Sequence, residues 1–63
     1  MHRYRIQYTM HDMPEGYIGS CTKYAKDSNQ ALKYILKKKK DKNGFCVFKR
    51  GSTGRILSIE ELN

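Results

Sequence analysis

The sequence predicts a small α+β domain: a ββαββ chain with one helix packed on one face of a three- or four-stranded antiparallel sheet. Three observations carry this. Residues 3–10 alternate polar and apolar side chains, residues 27–40 carry an apolar stripe at helical spacing, and two turn-rich stretches cut the remainder into short apolar runs.

Tyr4, Ile6, Tyr8 and Met10 point one way, and Arg3, Arg5, Gln7 and Thr9 the other. That is the period-2 signature of a half-buried strand. The run from His11 to Gly16 breaks it, because Pro14 fixes φ and removes a donor while Gly16 permits a positive φ, so a hairpin loop is expected. Residues 17–25, rich in aromatic, β-branched and small side chains, form the second strand. Its faces do not sort: Ile18, Ser20, Thr22 and Tyr24 make one, Tyr17, Gly19, Cys21, Lys23 and Ala25 the other, and a bulge at Gly19 could exchange them.

Residues 27–40 read as the helix. Ala31, Leu32, Ile35 and Leu36 gather on one side, Asp27 suits the N-cap, and Gln30 stands where a capping box wants Glu or Gln. The lysines fill the last turn, where the helix dipole favours cations. Lys33, Lys37 and Lys40 then share the outer stripe without carboxylate partners, and Lys38 and Lys39 lie on the flank of the apolar face. Residues 41–44 supply the helix stop, with Asn43 or Gly44 in the left-handed conformation. Residues 45–49 form a third strand, 51–54 a turn, and 55–59 a short fourth strand, leaving a tail from Glu60 to Asn63 that frays. A crossover through the helix that steps over the first strand gives the sheet order 2-1-3-4.

Residues 1–63 read as a single domain, near the size at which folding buries only about 60% of the unfolded chain's surface. A deep catalytic cleft is not expected on that scale. Thirteen Lys and Arg against six Asp and Glu give a net charge of +7, a field that draws phosphate polymers, acidic proteins or anionic surfaces. The N-terminus lacks the pattern of a signal peptide and no apolar run approaches membrane-spanning length, so a cytoplasmic setting is the expectation. Cys21 and Cys46 lack C-x-x-C spacing, and His2 and His11 have no helical-spacing company, so free thiols and no metal or other cofactor are expected.

Function follows from the cations. Lys33, Lys37 and Lys40 on the helix compete with Arg3 and Arg5 on the first strand as the main site, and Lys49, Arg50 and Arg55 flank the Gly51 to Gly54 turn. The turn lacks P-loop spacing. Nor do Asp12 and Glu15, or Ser20 and Cys21 with the two histidines, show the spacing of a catalytic pair, so the chain is read as a non-enzyme. The reading is a small basic nucleic-acid-binding module, for DNA or RNA, acting through phosphate contacts. The alternative is a protein-interaction module that docks an acidic partner or pairs through a sheet edge. Oligomeric state is left open.

Overall fold

The opening alternation becomes β1 (His2–Met10), and its two sides differ as the period demands: Tyr4, Ile6 and Met10 are buried, while Arg5 and Gln7 are exposed. The computed structural model describes residues 1–62; Asn63, in the tail expected to fray, lies outside them. The other elements are β2 (Gly19–Ala25), α1 (Ser28–Ile35), β3 (Leu36–Lys38), β4 (Cys46–Phe48) and β5 (Thr53–Glu61). They build an α+β unit, one helix on a five-stranded antiparallel sheet of order β2-β1-β5-β4-β3.

The strand count and order correct the expectation. Besides β2, the neighbour of β1 is the last strand, not the one that follows the helix. β1 and β5 are each nine residues long and place Ile6 opposite Ile59, Tyr8 opposite Ile56 and Met10 opposite Gly54. Pairing the two longest strands at the centre buries these residues together, while the three-residue β3 and β4 stay near the edge. The crossover through α1 therefore lands at the far edge, and β3, β4 and β5 return by hairpins. Glu60 and Glu61 do not fray: they pair with Arg5 and Tyr4, and the Leu62 N–H donates to the Arg3 carbonyl at 2.8 Å.

The helix is also shorter than its apolar spacing suggests. Its start is as expected: Asp27 Oδ1 accepts from the Gln30 N–H at 2.8 Å, and Gln30 Oε1 reaches back to the Lys26 N–H at 2.7 Å. It ends at Ile35 rather than at Lys40, with Leu36 already extended at φ −107, ψ 133. Beyond Leu36 the stripe has no apolar member, so further turns would bury nothing. An extended Leu36 instead packs opposite Phe48, and the Lys49 N–H takes the Ile35 carbonyl at 3.0 Å. The 41–44 stretch consequently closes a hairpin, not a helix: Asp41 Oδ1 accepts from Asn43 and Phe45 N–H groups, and Gly44 takes φ +86.

The β4–β5 turn is displaced from the expected 51–54. Gly51 adopts φ +102 as its N–H reaches the Phe48 carbonyl, closing a three-residue loop, whereas Gly54 lies inside β5. A Cβ at Gly54 would collide with the Thr9 carbonyl oxygen, so this glycine serves close strand approach.

The register of β2 decides its faces. Cys21 stands opposite Ile6, Lys23 opposite Tyr4 and Gly19 opposite Tyr8, so these share the helix side, while Ser20, Thr22 and Tyr24 share the open side. The β1–β2 register runs through Gly19 unbroken; the bulge lies in β5, where Leu57 is the extra residue between the Gln7–Ser58 and Tyr8–Ile56 pairs. On the helix side, Tyr4, Ile6, Ala25 and Ala31 form one buried cluster and Met10, Leu36, Cys46 and Phe48 another. Tyr8, Leu32, Ile35 and Ile56 pack against both and join them into one core. No described helix is long and apolar enough to cross a membrane.

Candidate functional site

The sheet face away from α1 is uncovered, and the registers fix what it displays. Directly opposite residues project to the same side, so it reads in rows. Tyr24 stands beside Arg3, Arg5 lies between Thr22 and Glu60, and Gln7 lies between Ser20 and Ser58. Beyond the bulge Thr9 pairs with Arg55, and Thr53 pairs with Val47, which pairs in turn with Lys38. Among these rows four cations, Arg3, Arg5, Arg55 and Lys38, face one carboxylate, Glu60.

Each end of the face also carries an aromatic group. Tyr24 is 61% exposed across from Arg3. At the other end the Arg55 guanidinium lies 4.6 Å from the centre of the Phe45 ring, and His11 meets the same ring edge-on with centroids 4.6 Å apart. His11 Nδ1 is held 2.9 Å from Thr53 Oγ1, which fixes the ring against the strand. Six residue steps along β1 separate the Arg3 and Thr9 rows, a span of about 20 Å at the rise of an extended strand. Between the two ends the middle row is uncharged, with Ser58 Oγ donating to Gln7 Oε1 at 3.1 Å.

The arginines differ in their present engagement. Arg5 Nε stands 4.0 Å from Glu60 Oε1, a loose and exposed ion pair worth little. Among the described residues, Arg3 Nε is buried without a hydrogen-bond partner. Arg55 is braced on Phe45.

The remaining expected cations are dispersed. Lys33 stays on the exposed surface of α1, Lys37 is in β3 and Lys40 in the loop after it, so the three do not share a helical stripe. Lys49 and Arg50 line a cavity on the helix side. Arg55 alone of the turn cluster joins Arg3 and Arg5. Phe45, His11 and Lys38 were not expected in this company, although the alternation Phe45, Cys46, Val47, Phe48 carries the signal: with Cys46 and Phe48 buried, Phe45 and Val47 must face outward.

Other chemistry is sparse. Cys21 and Cys46 are free thiols on the helix side; burial pushes the Cys21 thiol above its ordinary range, which keeps it protonated and slow as a nucleophile. Burial likewise raises the Tyr4 and Tyr8 phenols, with Glu61 adding to the first and Tyr17 to the second. No group of three or more His, Cys, Asp and Glu among the described residues is placed to hold a metal ion. At the sheet end under the β1–β2 loop, Ile18, Met13 and Leu57 line a shallow groove of about 500 Å³ with Pro14 and Tyr17. Compared with known proteins, the chain matches no family model, no curated protein and no solved structure.

Proposed function

We propose that the protein binds single-stranded nucleic acid across the uncovered sheet face. The observation that carries this reading is the gathering of Arg3, Arg5 and Arg55 on one open face with the exposed Tyr24 ring and the Arg55–Phe45 stack at its two ends. Unstacked bases lie on aromatic rings and guanidinium planes, and the remaining guanidinium donors reach phosphates. A duplex suits the face less well, since its bases are already stacked and offer nothing to Tyr24 or the Arg55 plane. Lys38 extends the positive field toward the β3 edge, where Lys37, Lys39 and Lys40 add to it.

The test is salt dependence of binding to a mixed-sequence single-stranded oligonucleotide. Each phosphate contact with a single strand contributes about 0.7 to the slope of log K against log salt, so Arg3→Gln, Arg5→Gln and Arg55→Gln together should flatten it by about two units. Replacing Lys33, Lys49 and Arg50 by Gln removes equal charge from the other side and should leave most of the slope. Equal losses in the two triple variants, or no salt-dependent affinity in the parent protein, would defeat the reading.

A protein-interaction module is the second reading, and the apolar groove of Met13, Ile18 and Leu57 beside the basic face favours it. Ile18 and Leu57 are 59% and 51% exposed, more than the fold needs of them. Its signature is capture of a protein that survives salt high enough to release oligonucleotide and is lost on Ile18→Ser.

A further inference from the structure

On the opposite side of the sheet, α1 is only eight residues long and leaves part of the apolar surface uncovered. The gap is a cavity of about 240 Å³. Its floor is Tyr8, Met10 and Phe48, and Ile35 closes it on the helix side. Lys23, Lys49 and Arg50 stand at its margin, and no carboxylate lines it among the described residues.

The lining selects for both shape and charge. Tyr8 and Phe48 are tilted 52° to each other with ring centroids 5.2 Å apart, an arrangement that leaves an edge and a face for a third ring. Met10 adds a thioether, which makes favourable contact with aromatic edges. An apolar cavity of about 150 Å³ accepts benzene, so the volume here accommodates one ring with a short arm. Three cations at the mouth would meet a negative group on that arm. The helix C-terminus does not oppose this strongly, because the Ile35 carbonyl is already taken by the Lys49 N–H. Gly19 is part of the construction: a Cβ there would strike the Tyr8 ring, so the glycine leaves that ring its place in the lining.

We propose that this cavity is a binding site for a small aromatic carboxylate, one ring carrying one acid group. The ring lies against Tyr8 over Phe48 and Met10, and the carboxylate is held by Lys49 and Arg50, with Lys23 also among the lining residues. The site lies on the other side of the sheet from the proposed nucleic-acid face and does not depend on it.

Phenylacetate and its neutral amide, phenylacetamide, separate the two selections. Calorimetric titration should show phenylacetate binding about tenfold more tightly than phenylacetamide, because charge-assisted hydrogen bonds are roughly twice as strong as neutral ones. Cys21 lines the same cavity, so saturating phenylacetate should slow its reaction with a thiol reagent about fivefold or more. The double variant Lys49→Gln/Arg50→Gln, at two exposed positions, should bring phenylacetate down to the affinity of the amide. Acid and amide binding alike in the parent protein, an acid preference that persists in the double variant, or Cys21 reactivity unchanged at saturation would each overturn the proposal.

Discussion

Gly19 and Tyr8 face each other across the β1–β2 ladder, and the Tyr8 ring occupies the space in which a side chain at residue 19 would begin. Gly19→Ala must therefore displace that ring. Overpacking of this kind costs about 1–3 kcal/mol, and the melting temperature should fall accordingly. Combining it with Tyr8→Leu, which removes the obstructing ring, should cost less than the two single losses added. Additive losses would show that the ring is not the obstacle.

Ile6 is fully buried at the centre of the sheet between Cys21 and Ile59. Ile6→Ala should cost about 2–5 kcal/mol by chemical denaturation, enough to unfold a domain of marginal stability. Leu57→Ala, at the exposed bulge, should stay within about 0.5 kcal/mol of the parent.

Lys40 lies beyond the last hydrogen-bonded residue of β3, in the loop that leads to Asp41. Lys40→Pro should cost well under the roughly 3 kcal/mol that proline takes from a helix interior. A loss of that full size would mean that the helix runs through the lysines after all.

Three groups on the helix side, Cys21, Tyr4 and Tyr8, hold their protons more tightly in the folded chain, chiefly through burial. A raised folded-state pKa gives stability that is complete below the unfolded value and is lost as pH climbs through the folded one. The melting temperature should thus decline from about pH 8.5, where an unfolded thiol ionises, and more steeply from about pH 10 as unfolded tyrosines do. Cys21→Ala should abolish the first part of the decline and leave the second.

What the sequence disclosed follows the range over which its signals act. The alternation from Arg3 to Met10 and the Asp27–Gln30 cap are local, and both sides of β1 and the start of α1 were legible from them. Partner choice is not local: nothing in the period of residues 45–49 or 55–59 says which lies beside β1, and the pairing shows only in the register that sets Ile6 opposite Ile59 and Tyr8 opposite Ile56. The lysine run misled because Lys has good helix propensity and the dipole favours it at a C-terminus, whereas the decision rested on Leu36 finding Phe48. The candidate site divides the same way. Arg3 and Arg5 could be assigned to the open face from β1 alone, but Arg55 and Phe45 reach it only through the β1–β5 and β4–β5 registers.

The central pairing of β1 with β5 also bears on how the protein is made. Its middle ladder joins residues near one end of the described chain to residues near the other, from Tyr4 with Glu61 to Met10 with Gly54. A nascent chain can form the β1–β2 hairpin and the helix early, yet β1 keeps an unpaired side until Thr53–Glu61 has left the ribosome. Closing so long a loop before any of its contacts repay the lost entropy slows the step. During that interval the edge of β1 that later receives β5 is an open template for any other strand.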